Sequence, residues 1–306
     1  MGGTFVVYSD KPQLVLELIG FCTGAGRKAV ALAFDAAVAE ECAAKGADKV
    51  LFFNSGINLP EAYCQQVAEA ITGEGAEGFI VGSTVRGREM AAKVAALLNW
   101  PLASDVSRVV AGGGELEIER LTYGGAVVQQ EKVRLPAVVT VPPGKFEPSS
   151  KPKAGAEVVA LSAEPDGRYT LLERTRIERQ GADLANADKI VCAGMGFAKK
   201  EDLKLAFDLA AVLGAEVACT RSVAEERKWL PPDVYVGISG ATVKPRLYLT
   251  LGVSGQVQHI VGARDSGLIV AVDVNENAPI FSAADYGIVG DLYEVVPTLI
   301  DALKNA

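Results

Sequence analysis

Residues 246–292 read RLYLTLGVSGQVQHIVGARDSGLIVAVDVNENAPIFSAADYGIVGDL. Two apolar runs in this stretch, 247–253 and 268–274, have the length and composition of strands buried on both faces of a parallel sheet. The first runs into Ser254-Gly255 and then a helix-like segment, 256–263. A strand that turns through Ser-Gly into a helix leaves backbone N–H groups unpaired, and these favour an anion, most often a phosphate. The second run ends in Asp273 and Asn275, polar groups at the carboxyl edge of the same sheet. Open α/β sheets bind ligands at that edge. The residues alone therefore point to a nucleotide-type ligand on an α/β domain.

The runs G-V-S-G-Q-V-Q-H (252–259), D-S (265–266), A-P-I-F (278–281) and A-D-Y-G-I-V-G-D-L (284–292) resemble the flavin-binding domain of the alpha subunit of electron-transfer flavoproteins. The resemblance is dense over roughly 187–300 and looser before that. It implies a doubly wound domain that holds FAD, a homologous beta subunit as partner, and single-electron transfer between a dehydrogenase, such as an acyl-CoA dehydrogenase, and a downstream acceptor. It implies a carrier rather than a substrate-converting enzyme. Both a simple shuttle and a bifurcating complex with a second FAD, held largely by the beta subunit, are compatible with it.

Composition bounds the rest. The chain has 306 residues, is 49% hydrophobic and 22% charged, and carries a formal net charge of -8. That length suits two domains, and the acidic balance argues against nucleic acid as a main partner. No apolar run approaches the roughly 20 residues of a membrane span. The N-terminal residues lack a basic region followed by an apolar core, so no signal peptide is expected. Five scattered cysteines without a C-x-x-C suggest reduced thiols and a cytoplasmic setting. A single histidine excludes a multi-His metal site, and no zinc spacing is present.

In chain order, the pattern predicts two α/β domains, 1–185 and 186–306, each with a mainly parallel sheet covered by helices. Strands are expected at 5–8, 29–34, 50–53 and 78–82. Helices are expected from Pro12, capped by Asp10, and over 35–45, 60–71 and 87–98. Strand-like runs at 116–123, 126–133 and 137–141 read as antiparallel additions. Residues 147–153 read as a loop or linker, and 158–161 with 169–179 as an edge strand or extended connection. The second domain is expected to run strand 189–192, helix 200–213 with Leu203, Ala206, Phe207 and Ala210 on one face, strand 216–220, helix 222–229, the two runs first quoted, strand 286–289 and helix 292–304. Gly24-Ala-Gly26-Arg-Lys-Ala29 has the outline of a dinucleotide fingerprint. It follows helical periodicity and precedes a strand, the reverse of what that motif needs. It reads as a helix stop.

The resemblance assigns site residues. Gly196 lies in a glycine turn whose middle position commonly carries an arginine in the family, where this chain has Met195. Thr220-Arg221 matches a Ser/Thr-Arg pair whose guanidinium lies over the flavin ring, where a cation raises the first one-electron potential. Gly237-Ile238-Ser239-Gly240 matches a Gly-Gln-Thr-Gly turn; Ser239 keeps the hydroxyl that meets flavin N5, and Ile238 loses an amide. His259 is expected to face the pyrimidine edge, and Gln258 to touch the cofactor. Ser254 and the N–H groups around Gly255 are expected to face phosphate, and Gly252 is expected among the cofactor-binding residues. Asp273, where asparagine is usual, is expected to accept from a ribose hydroxyl, and Asp285 is a further expected contact. Two other classes stay open on the residues alone. A nicotinamide-dependent dehydrogenase would need a working glycine fingerprint and a proton-transfer residue. A regulatory adenine-nucleotide module would be colourless on purification.

Overall fold

A computed structural model describes residues 2–54, 59–149, 156–175 and 181–305. The chain divides into two compact units, residues 1–122 with 127–175, and residues 123–126 with 176–306.

The first unit contains β1 (Thr4–Tyr8), α1 (Pro12–Gly24), β2 (Lys28–Ala33), α2 (Ala36–Ala44), β3 (Lys49–Phe53), α3 (Cys64–Gly73), β4 (Ala76–Gly82), α4 (Val85–Leu98), β5 (Leu102–Ala103), β6 (Val106–Ala111), β7 (Glu115–Thr122), β8 (Val127–Arg134), β9 (Ala137–Val141) and β10 (Glu157–Leu161). Seven strands form one parallel sheet in the order β10-β3-β2-β1-β4-β9-β5. Side chains alternate across a strand. Phe5, Val7, Ala29 and Ala31 therefore pack on α1 and α2, while Val6, Tyr8, Val30 and Leu32 pack on α3 and α4. Both faces are covered, which is why these strands read as unbroken apolar runs.

Several expectations are corrected here. Residues 137–141 are not an antiparallel addition: β9 pairs in parallel with β4 and is buried throughout. Only β6, β7 and β8 form a separate antiparallel sheet, in which β8 is largely exposed. Asp10 does not cap α1. Lys11 holds the cap position without a side-chain bond, and Asp10 instead accepts from the Thr84 hydroxyl. Pro12 does open the helix, where its missing N–H costs nothing. Residues 60–63 form a 3-10 turn ahead of α3. The segment 24–26 ends α1 and precedes β2, so the fingerprint order is reversed in space as well. β10 adds in parallel to the edge strand β3. Residues 169–175 carry no regular structure, while 150–153 and 176–179 lie outside the described residues.

The second unit contains β11 (Lys189–Ala193), α5 (Lys204–Leu213), β12 (Glu216–Cys219), β13 (Leu247–Leu251), α6 (Val257–Ile260), β14 (Ile269–Asp273), α7 (Ile280–Ala283), β15 (Tyr286–Val289) and α8 (Leu292–Lys304). Its five strands are all parallel, in the order β12-β11-β13-β14-β15. The chain steps from β11 to β12 on one side, then returns to lay β13 on the other. That reversal is a topological switch point, and ligands of open α/β sheets sit at its carboxyl end. α5 and α8, with Leu203 from the turn before α5, cover one face through Ala206, Leu209, Ala210, Val296 and Ile300. Phe207 is not part of that face; it is 48% exposed, and Leu209 fills the place. Residues 200–203 and 222–226 are a 3-10 turn and a π turn rather than regular α-helix. Among the described residues no helix is long and apolar enough to cross a membrane.

The parallel placement of β9 has a measurable consequence. Val139 is fully buried, whereas Val128 on β8 is 54% exposed. Val139→Ala should lower the unfolding free energy by roughly 2–3 kcal/mol, through lost burial and a residual cavity. Val128→Ala should stay within about 0.5 kcal/mol. Urea denaturation of both variants checks this, and equal small effects would contradict the burial of β9.

Candidate functional site

At the carboxyl edge of the second sheet, β11 runs into Gly194-Met195-Gly196 and β13 into Gly252-Val253-Ser254-Gly255. These loops flank the switch point and touch backbone to backbone. Gly194 N donates to Leu251 O and Gly196 N to Gly252 O, both at 2.9 Å. A Cβ on Gly196 would stand 2.6 Å from Gly252 Cα, and one on Gly194 would stand 2.1 Å from Gly252 O. Gly252 itself has φ 61, a conformation that glycine adopts at no steric cost. Gly255, at φ 80, lets its loop seat against α7; a Cβ there would meet Ile280 N at 2.2 Å. Ile280 N donates to Ser254 O at 3.1 Å, fixing Ser254 at the rim with its side chain in solvent.

The turn Gly237–Gly240 is tied to the same edge from two directions. Val236 N donates to Cys219 O at 3.0 Å, extending the end of β12, and Ile238 N donates to Gln258 O at 2.8 Å beside α6. Tyr235 Oη donates to Ser239 O at 2.7 Å and lies 3.3 Å from Ser239 Oγ. Ile238 is 55% exposed, and Ser239 beside it is also exposed. An apolar side chain, a hydroxyl and the exposed Gln258 therefore stand side by side on a braced rim.

Thr220 and Arg221 close that rim at the end of β12. Arg221 Nε donates to Glu225 Oε2 at 2.6 Å, and the guanidinium is largely in solvent. Exposed pairs of this kind are weak and exchange readily. Thr220 Oγ1 is shielded from solvent and has no hydrogen-bond partner. A buried hydroxyl left unsatisfied costs about 1–3 kcal/mol, so an unpaired one at a ligand edge fits a bound polar group.

His259 occupies a different place from the one expected of it. It is 8% exposed, with Nδ1 3.0 Å from Val236 O and Nε2 3.0 Å from Tyr248 Oη and 3.9 Å from Cys192 Sγ. A carbonyl can only accept, so Nδ1 carries the proton and Nε2 accepts from the Tyr248 hydroxyl. Burial lowers its pKa to about 4. The imidazole is thus neutral, and its single N–H is spent on the protein. It offers no cation and no free donor to a ring edge; it fastens the carbonyl at the base of the Gly237 turn to β13. Burial also pushes the Cys219 thiol up to about 12, which leaves no thiolate at this edge.

The two aspartates separate. Asp273 ends β14 at the carboxyl edge, where Oδ1 accepts from Asn275 N at 2.9 Å. Asp285 lies at the opposite end. Its Oδ2 accepts from Ile269 N at 2.8 Å, where β14 and β15 begin, about 13 Å of strand away from the carboxyl edge. Asp285 is a strand-opening residue and does not join the other site residues. The carboxylate that does follow β15 is Asp291, which caps the 13-residue α8 by accepting from Tyr293 N at 2.8 Å. Its signal in the residues is an Asp between a strand and an amphipathic helix.

Two family models match the chain. Residues 20–166 match the electron transfer flavoprotein domain, and residues 183–264 the electron transfer flavoprotein FAD-binding domain. The second match contains every site residue above except Asp273, Asp285 and Asp291. Among curated proteins, the chain is similar to a "Putative electron transfer flavoprotein subunit YdiR" of Escherichia coli K12, at 37% identity over 98% of this chain and 97% of the relative. It is similar to "Protein FixB" of Escherichia coli O6:K15:H31 at 35% identity and of Shigella flexneri at 34%, with the same coverage of both partners.

The buried imidazole makes stability depend on pH. The unfolded chain takes up its histidine proton near 6.5, the folded chain near 4. Between these values the unfolded state binds more protons, so stability falls as pH falls, by roughly 2–3 kcal/mol from this group. Denaturation series at pH 7, 5.5 and 4 should show the parent chain losing that much more than His259→Gln, which carries no titrating group. Parallel pH profiles would contradict the buried neutral assignment.

Proposed function

The chain belongs to the electron transfer flavoprotein family, on its alpha-subunit side and with the family's FAD-binding domain at 183–264, and from that premise we propose that the rim built at the second sheet's carboxyl edge is where FAD is held and its potential set. When bound, FAD supplies a ring that takes up and releases electrons one at a time.

The observation that carries this reading is the unsatisfied Thr220 hydroxyl beside a guanidinium held only by an exposed carboxylate. Thr220 Oγ1 gains its missing partner from the cofactor. Arg221 exchanges Glu225 for the ring and adds positive potential where reduction places negative charge. Ser239 presents its hydroxyl at N5 from a turn braced by Tyr235 and Gln258. His259 contributes by position, keeping Val236 and the turn in register with β13. Ser254 and the N–H groups near Gly255 receive the diphosphate, and Asp273 accepts from a ribose hydroxyl. Ile238, in place of an amide, covers the ring edge without donating to it, and Met195 removes a cation from the β11 loop.

In the cell, the chain pairs with a homologous beta subunit and carries single electrons between an acyl-CoA or related dehydrogenase and a downstream acceptor. Its net charge of -8 suits docking on basic partner surfaces, in a salt-dependent manner. No step needs a general base, because electrons rather than groups are moved.

The purified heterodimer should be yellow and release FAD on denaturation. Arg221→Ala should keep FAD bound and lower the first one-electron potential by on the order of tens of millivolts, measured by spectroelectrochemical titration. Ser239→Ala should change the flavin absorption spectrum. An unchanged potential in Arg221→Ala would remove Arg221 from the ring.

A further inference from the structure

The first unit has a carboxyl edge of its own, and a cavity of about 650 Å³ opens there. That is within the range of small-ligand sites, roughly 300–1,000 Å³. It is lined by the ends of β1 and β2 and the first turns of α1, α2 and α4. The strand order β3-β2-β1-β4 places it where open parallel sheets take ligands.

Its lining carries both carboxylates and guanidiniums. On the α2 side stands Asp35. Its Oδ1 caps α2, accepting from Ala37 N at 2.9 Å and Val38 N at 3.2 Å, which leaves Oδ2 open to a hydroxyl. Arg86 and Arg174 also line it. Arg86 reaches Glu61 Oε1 only through Nε, at 3.3 Å, so its terminal N–H groups are available. Arg174 makes no ion pair or hydrogen bond among the described residues. Of the other two carboxylates on the lining, Asp10 accepts from the Thr84 hydroxyl and Glu41 is offset by Lys45 at 2.7 Å. The wall is aromatic: Tyr8 lies edge-on to Phe34, with centroids 5.8 Å apart, and Phe34 stacks on Phe53 at 4.9 Å. Two buried polar atoms at this edge, Tyr8 Oη and Glu61 Oε2, have no hydrogen-bond partner, and such atoms are rare enough to need a reason.

A dinucleotide does not fit. β1 runs into Ser9-Asp10-Lys11-Pro12, with no glycine to admit a diphosphate and a proline that offers no N–H. A cavity that holds a carboxylate acceptor and two guanidiniums suits a shorter molecule, one with hydroxyls and a single phosphate. We propose that the carboxyl edge of the first unit is a second ligand site, taking a phosphorylated sugar or nucleoside monophosphate with its hydroxyls on Asp35 and its phosphate on Arg86 and Arg174.

Isothermal titration of the FAD-saturated full-length chain, so that the second unit is already filled, tests this with four probes: ribose 5-phosphate, adenosine 5′-monophosphate, adenosine and inorganic phosphate. The two phosphate esters should bind more tightly than adenosine or phosphate. Arg174 is exposed, so Arg174→Glu should leave folding and FAD content intact while weakening both esters at least tenfold. Asp35→Asn keeps a good helix cap and should weaken ribose 5-phosphate while leaving inorganic phosphate unchanged. Tighter binding of the nucleotide than of ribose 5-phosphate assigns the aromatic wall to a base; equal binding assigns the site to sugar phosphates. No heat with either ester, adenosine binding as tightly as its monophosphate, or full affinity in Arg174→Glu would overturn the proposal.

Discussion

The C-terminal unit depends on one close approach: the loops after β11 and β13 meet with Gly196 N on Gly252 O at 2.9 Å and no room for a Cβ on either side. Adjacent parallel strands must separate beyond a switch point, because their helices depart to opposite faces. Here glycines hold the two loops together for a few residues longer. Thr220 with Arg221, the Ile238–Ser239 turn and Ser254 through Gln258 stand around this close approach. A chemically sparse set is thereby concentrated on one rim.

His259 illustrates how such a rim is made rigid. One neutral imidazole joins a turn carbonyl, a strand tyrosine and a buried thiol, each at the distance a hydrogen bond or sulfur contact requires. Buried polar networks of this kind favour one arrangement of a loop over its alternatives, because every alternative leaves a partner unsatisfied. The same edge in the N-terminal unit is built differently. β1 ends in Ser9-Asp10-Lys11-Pro12 rather than in a glycine turn, and a cavity lined by aromatic and charged side chains opens there.

Much of this was legible in the residues. The runs around Leu247–Leu251 and Ile269–Asp273 announced buried parallel strands because both faces are covered, and the helix from Leu292 to Lys304 announced itself by apolar spacing. What failed did so for identifiable reasons. Residues 137–141 follow two true antiparallel strands, and nothing in an apolar run states the direction of its neighbours. Asp10 has the chemistry of a cap, but Lys11 takes the cap position and the Asp10 carboxylate bonds Thr84 from another loop. Asp285 and Asp291 sit in one dense motif, yet the four-residue strand between them puts them at opposite ends of the sheet. The inward turn of His259 depends on Tyr248 and Cys192, which lie far apart in the chain and meet only in the folded core.

The role of the β11–β13 edge is tested most directly by hydrogen–deuterium exchange on the purified heterodimer with and without FAD. Slower exchange on loading is expected in 194–196, 219–222, 236–240 and 252–259, with little change where β14 and β15 begin near Asp285. Protection that is absent from those four segments, or that centres on the amino end of the sheet, would contradict it.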